Sequence, residues 1–392
     1  MKKKLSVILL CLLILSLFAG CTKKEDPKDT LPEVTGIAIE HEKEFGGVYI
    51  KLTIDEFNAK GFVYGDSVDV VFSNGYELKD IPYYNGYYVD AGQPLLIAYP
   101  GYDYIKAAIN YGEDLWEKAG LLNTPMISLW QQSGLDENAT ASVRVSERGK
   151  YLDVQEARDI HYSDERAKFD SDEIFANFRS FCMGRIRENT LYRSASPCDN
   201  QHNRGTYVSA LLKEAGVNVI LNLSDNEEKI SRYMAQEDFN CPGFLELYEM
   251  GNVYPIALNM NYLSEEFAQK IAQGFVQISE KEGPYLIHCT EGKDRTGFVC
   301  MLIEALCGGS YQEIADDYML TYDNYYKINP EKDPDKYDTI LEKNLNAMLR
   351  FVCNDAEADL ETADLEAAAR TYLLNAGMSQ QQIEAFLARI CK

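Results

Sequence analysis

The fold predicted for this chain is α/β, with a mainly parallel central sheet flanked by helices and a small β-barrel or sandwich domain in front of it. Three observations predict it. After Tyr151, apolar runs of strand length alternate with stretches of helical periodicity, the pattern of a sheet built from strand and crossover-helix units. From about Leu31 to Arg148 the chain is instead rich in glycine and tyrosine, with short β-type runs separated by turn signals. Between Tyr285 and Leu306, an apolar run, a glycine-punctuated polar loop and a run with apolar residues at helical spacing read as strand, tight loop and helix. With 392 residues, 46% of them hydrophobic, the chain has enough apolar content for two ordinary domains. The expected organisation is a signal segment over 1–20, a tether over 21–30, a small β-rich domain over 31–150 and an α/β domain with a helical C-terminal part over 151–392.

The first twenty residues pair a basic start, Lys2-Lys3-Lys4, with an apolar run from Leu5 to Phe18 and then Ala19-Gly20-Cys21. This is the pattern of an export signal, so it is excluded from the fold. The cleavage region resembles a bacterial lipobox, which implies that Cys21 becomes the lipidated first residue of an exported lipoprotein, held at the cell surface or the periplasmic face. Residues Thr22 to Thr30 are charged and carry no apolar pattern, which suits a short tether.

In the β-rich region, strands are expected over Val34–Ile39, Val48–Thr53, Ser67–Phe72 and Leu95–Tyr99, with short helices over Asp55–Lys60 and Asp114–Leu121. The stretch Glu56 to Gly75 resembles the small β-barrels appended to S-adenosylmethionine-hydrolysing proteins, and no catalytic residue is expected there. Tyr83, Tyr84, Tyr87, Tyr88, Tyr99, Tyr102 and Tyr104 either pack this domain with their hydroxyls in water or form a recognition surface. In the second region, helices are expected behind Ser171, over Arg204–Ala215, over Glu265–Lys281 behind a Ser264 cap, and over Tyr311–Leu320, Tyr337–Val352, Ala363–Leu374 and Ser379–Ile390. Strands are expected in Asn189–Pro197 and over Val217–Leu223.

The formal charge of −24 becomes −27 once Lys2, Lys3 and Lys4 are removed with the signal. A field of that sign repels nucleic acid and anionic lipid, so any anionic ligand must be captured locally. The strand, loop and helix around Cys289 provide such a place. Loop amides turned inward form a nest, and the first turn of the following helix adds unpaired donors and the positive end of its dipole. A cysteine at the start of such a loop is expected as the thiolate, the attacking form. Six positions on, Arg295 can fold back and hold two oxygens of a tetrahedral oxyanion in its planar fork. Outside the signal and Cys21, eight cysteines remain, all from Cys182 onward. Export favours disulfides, whereas a catalytic thiolate needs reduction, and an anaerobic or weakly oxidising setting reconciles the two.

His288-Cys289, then Gly292-Lys293-Asp294-Arg295-Thr296-Gly297, resembles the signature of the cysteine-dependent tyrosine phosphatases, in the branch of secreted bacterial enzymes that act on phosphotyrosine and phosphoinositides. The resemblance covers roughly Asp172 to Asn324. It implies Cys289 as nucleophile, Arg295 as clamp, and Thr290, Glu291, Gly292, Lys293 and Thr296 as the phosphate cradle, with His288 and Gly297 in support and no metal or cofactor. Leu191 to Pro197 resembles the family's Tyr-Arg-Ser segment, and Asp316 to Tyr326 the helix end packed under the loop. Asn222 and Ser224 stand where the family carries Asp and Arg. Many relatives take the leaving-group proton from an Asp on a separate loop before the cysteine, and this chain has no Asp from Phe239 through Lys293. Asp294 is therefore the leading general acid, with bracing of Arg295 as its alternative role and Glu265, Glu266 and Glu291 as the next candidates. The implied activity is hydrolysis of phosphomonoesters on proteins or on inositol lipids. A phytase-like inositol polyphosphatase, a non-catalytic phospho-ligand-binding lipoprotein and a sulfur-transfer enzyme are the competing classes.

Overall fold

The structure, a computed structural model, describes residues 31–43, 45–121 and 139–392. The expected signal segment, the tether and Cys21 lie outside the described residues.

Seven strands close a barrel: β1 (Glu33–His41), β2 (Val48–Ile50), β3 (Ser67–Phe72), β4 (Glu77–Tyr84), β5 (Pro94–Ile97), β6 (Ile105–Ile109) and β7 (Thr140–Glu147), in the order β1-β2-β6-β5-β4-β3-β7. Closure leaves no open edge to pair with another chain. The helix α1 (Ile54–Ala59) starts at a reciprocal Thr53–Glu56 capping box and plugs the barrel with Phe57, which stacks on Phe62 at 3.9 Å. Neighbouring tyrosines pack on opposite sides of the barrel wall. Tyr83 points into the core and gives its hydroxyl proton to Asn58 at 2.6 Å, whereas its neighbour Tyr84 faces outward, as alternation along a strand demands. That outer face, with Leu95, Ile97 and Ala108, is covered by Tyr151 and Val154 at the start of α3 (Leu152–Arg158), which follows the short α2 (Leu115–Lys118).

The second part has a five-stranded sheet in the order β11-β10-β12-β9-β8, formed by β8 (Arg179–Ser180), β9 (Leu191–Ser194), β10 (Val219–Asn222), β11 (Val253–Pro255) and β12 (Tyr285–His288). β9, β10, β11 and β12 run parallel, and β8 is an antiparallel edge. Both faces are covered, so the strands read as unbroken apolar runs. Leu286 and Ile220 face α5 (Gly205–Glu214), α6 (Glu227–Met234) and α7 (Pro242–Glu249). Tyr285, Ile287, Val219 and Leu221 face α8 (Glu265–Ser279) and α9 (Asp294–Leu306), with α10 (Tyr311–Tyr326), α13 (Leu365–Asn375) and α14 (Gln380–Ile390) outside them.

Several elements differ from expectation. The helix behind Ser171, α4 (Asp172–Ala176), stops after five residues because Asn177 takes the left-handed conformation at φ 50° and turns its amide into the protein. α10 runs six residues beyond Leu320, carried by Tyr322, Tyr325 and Tyr326, which pack inward. The single helix expected over Tyr337–Val352 is α11 (Pro334–Ile340) and α12 (Ala347–Cys353) joined through a π-helical turn over Leu341–Asn346. That turn meets the barrel: Asn344 accepts from Arg158 at 2.9 Å and Lys343 pairs with Asp90 at 3.2 Å.

Candidate active site

The central strand β12 ends at His288 and Cys289 follows it, at the carboxyl edge of the parallel strands, where open α/β sheets place their ligand sites. The next turn is held from outside. Ser196 N–H donates to the Thr290 carbonyl at 3.0 Å, the Tyr325 hydroxyl to the Glu291 carbonyl at 2.7 Å, and Arg193 and Asn177 to the Gly292 carbonyl at 3.0 and 3.2 Å. A trans peptide points its N–H opposite to its C=O. Three outward carbonyls in a row therefore turn the amides of Glu291, Gly292 and Lys293 toward the concave side, which is the nest the sequence predicts. Gly292 sits at φ +69°, and a Cβ there would lie 2.2 Å from the Ser194 carbonyl oxygen, so only glycine fits. Gly297 leaves room for the Tyr318 ring, 2.7 Å from where a Cβ would stand.

Below the loop, Asp317 on α10 binds both Arg179, at 2.7 Å, and Arg193. Burial alone would raise the Asp317 carboxyl, but the two guanidiniums outweigh it and hold the group well below the ordinary carboxylate range. The triad anchors the Gly292 carbonyl through Arg193, so the loop rests on a rigid ionic floor.

Cys289 is 3% exposed at the start of the loop and α9 begins five residues later. Arg295 folds back over the loop: Nη1 donates to the Leu258 carbonyl at 3.1 Å and Nη2 to the Thr290 hydroxyl at 3.2 Å. Among the described residues its buried Nε finds no acceptor, and the buried hydroxyl oxygen of Thr296 finds no partner. Buried donors without partners are costly, and these two belong to the residues expected to meet an oxyanion and the sulfur. His288 is fully buried and burial lowers its imidazole to about 4, so it is neutral. Its Nδ1 lies 3.1 Å from the Cys289 carbonyl and donates to it, which ties the ring to the loop backbone.

The three charged loop residues sort into different roles. For Glu291, burial is outweighed by Lys293 at 2.8 Å, the Tyr162 hydroxyl at 2.9 Å and His202, which together lower it to about 2. Lys293 and the Tyr162 hydroxyl thus hold its carboxylate against the loop. Lys293 is raised above its usual value because Asp294 and Glu291 overcome its burial, and its ammonium also donates to Tyr326 at 3.1 Å. Asp294 moves the other way. Burial, with Glu291 adding to it, raises its carboxyl despite Lys293 and Arg295. The side chain remains 37% exposed, so the carboxyl is open to an incoming substrate. Glu265 and Glu266 are exposed at the start of α8, where Glu266 pairs with Lys270 at 2.8 Å.

Asn222, which replaces an expected Asp, ties the turn after β10. Its amide oxygen accepts from the Ser224 and Asp225 N–H groups at 3.0 and 3.1 Å, and its NH₂ donates to Asp225. Its role is structural. Aromatic residues around the loop went unread because no local pattern marks them. Tyr162, on the segment leading in from α3, stacks on Tyr325 at 5.1 Å, and Arg204 lies over both rings. The barrel contributes Tyr111, whose ring meets Tyr262 at 5.3 Å, and Tyr262 in turn stacks on Phe298 of α9. Asp294 and Lys293 are among the charges acting on the Tyr111 and Tyr99 hydroxyls.

A family model described as the tyrosine phosphatase family matches residues 175–392. Among curated proteins, the triple specificity protein phosphatase PtpB of Mycobacterium tuberculosis is 27% identical over 143 residues, which are 31% of this chain and 52% of PtpB. The chain thus spans about half the length of that relative. Among solved structures, the core catalytic domain of the PP-IP phosphatase Siw14 from S. cerevisiae aligns at 21% identity over 45% of this chain and 91% of its own, with a TM-score of 0.26. The P. aeruginosa protein TpbA, in complex with phosphotyrosine, aligns at 16% identity over 49% and 95%, with a TM-score of 0.27.

Proposed function

The chain belongs to the tyrosine phosphatase family, and on that footing we propose that it is an exported phosphomonoesterase that hydrolyses aryl phosphates, phosphotyrosine in a peptide foremost, through a phosphocysteine intermediate. The observation that carries the reading is the Arg295 guanidinium folded over the Cys289 loop with its Nε buried and unpaired, above three amides turned inward. A phosphate seated there would satisfy that donor. The Cys289 thiolate then attacks phosphorus in line. Arg295 and the amides take up charge on the three equatorial oxygens, and Asp294 protonates the departing phenoxide. Water, with its proton taken by the Asp294 carboxylate, cleaves the phosphocysteine, and the Thr296 hydroxyl stabilises the leaving sulfur.

Two features favour an aryl ester over a multiply phosphorylated inositol. Lys293, the cation that a second phosphate would use, is paired with Glu291 and capped by Tyr326. Tyr99, Tyr111 and Tyr262 supply flat apolar faces for a phenyl ring. The lipobox resemblance supports an enzyme held at the cell surface or the periplasmic face through lipidated Cys21. The test is phosphate release from a phosphotyrosyl peptide, phosphoinositide vesicles and phytate. A kcat/KM highest for the peptide supports the reading. Release confined to phytate or the lipids overturns the aryl assignment, and no release from any of them overturns the enzyme.

A further inference from the structure

Eight cysteines from Cys182 onward are free thiols, and among the described residues one pair brings its sulfurs together. Cys307 follows the last residue of α9, and Cys391 is the penultimate residue of the chain. Their Sγ atoms are 3.4 Å apart although 84 positions separate them in sequence. Backbone contacts fix the meeting from three sides. Arg185 N–H donates to the Cys307 carbonyl at 3.0 Å, Lys392 N–H to the Arg185 carbonyl at 2.9 Å, and Cys391 forms a β-bridge with Ile186. Cys307 is fully buried, whereas Cys391 is half-buried and lines an open groove of about 290 Å³ with Arg185, Arg370 and Leu387.

We infer that Cys307 and Cys391 form a dithiol site for thiol–disulfide exchange, oxidised by a small-molecule or protein disulfide that enters this groove. The Cys391 thiolate attacks one sulfur of the incoming disulfide and expels the first thiolate, leaving a mixed disulfide. Cys307 loses its proton, attacks the Cys391 sulfur and expels the second thiolate. The two protein sulfurs are oxidised by two electrons, and the incoming disulfide is reduced to two thiols. The surroundings favour this order. The neighbouring Cys307 thiol, with Arg185 and Arg187, lowers Cys391 to about 7, which makes the accessible sulfur the nucleophile. Closing the bond requires the sulfurs to approach by on the order of 1 Å. Because α9 is 13 residues long, Cys307 lies roughly 20 Å along it from the catalytic loop. The chain can therefore carry a structural disulfide and a reduced Cys289 together, which removes the conflict between export and a catalytic thiolate.

The experiment compares full-length wild type, Cys391→Ser and Cys307→Ser, each exposed to oxidised glutathione and then alkylated and mapped by mass spectrometry. Wild type should lose the alkylatable thiols of Cys307 and Cys391, yield one cross-linked peptide pair joining the two, and melt roughly 5 °C or more above its dithiothreitol-treated form. Cys307→Ser should stop at a glutathione adduct on Cys391, and in Cys391→Ser the buried Cys307 should stay a free thiol. The inference is overturned if wild type retains both thiols, keeps the adduct unresolved, or cross-links a different pair.

Discussion

Gly292 and Asp294 show how little the individual loop residues can be exchanged. Gly292→Ala places a methyl group against the Ser194 carbonyl at a backbone φ of +69°, so it should destabilise the fold by about 2 kcal/mol or more and depress turnover with every substrate alike. Thermal melting and a substrate panel check both halves. Asp294→Asn should behave differently. It should slow alkyl phosphates by roughly 10²- to 10⁴-fold and a nitrophenyl ester far less, because nitrophenolate departs without a proton. Equal loss for both would return Asp294 to the bracing role. The raised carboxyl also sets a sign for pH. Asp294 keeps its proton to higher pH than an ordinary aspartate, so general-acid assistance falls as pH rises through its folded-state pKa, and the Asn variant should lack that alkaline limb. By the same linkage, its ionisation costs stability as pH rises.

The elements meet through the Arg179, Arg193 and Asp317 floor, where α10 and the β8–β9 hairpin hold the loop by its carbonyls. Arg193 is 1% exposed, so Arg193→Ala strips Asp317 of one of its two guanidiniums and the Gly292 carbonyl of a donor, and should cost about 3 kcal/mol, read as a lowered denaturant midpoint. Asp317 has a depressed carboxyl. Its contribution is complete above the ordinary carboxylate pKa and is lost as pH falls from about 4 toward its folded-state value, so Asp317→Asn should flatten acid unfolding in that window. These partners mark what the sequence could and could not tell. The Cys289 loop, with its strand and helix, was legible because nucleophile, clamp and glycine lie within nine consecutive residues. Arg193 and Asp317 sat inside segments read as similar to the family, yet their pairing spans 124 positions and leaves no periodic trace. α6 and α7 were missed although Asn226 caps one and Pro242 opens the other, signals that a coarse reading for apolar runs passes over.

Across the whole molecule, the barrel reaches the catalytic cleft through Tyr111, and α3 with its following segment delivers Tyr162 to Glu291. The barrel is thus packed close to the loop, near enough for Asp294 and Lys293 to act on Tyr111, which composition alone could not reveal. Tyr111→Ala should raise KM for a phosphotyrosyl peptide by about 3- to 10-fold with kcat little changed, because a stacked ring contributes uniform binding. Steady-state kinetics on the peptide would show it. The lipobox resemblance predicts that the mature chain partitions into the detergent phase and that Cys21→Ala does not. Everything else depends on the sulfur of Cys289. The most direct measurement is rapid acid quenching of wild type with a phosphotyrosyl peptide, followed by mapping of the covalently bound phosphate, alongside turnover by Cys289→Ser. Phosphate on Cys289 in wild type, and no turnover in a folded serine variant, is the predicted result. Phosphate release by Cys289→Ser, or a covalent phosphate on any other residue, would contradict it.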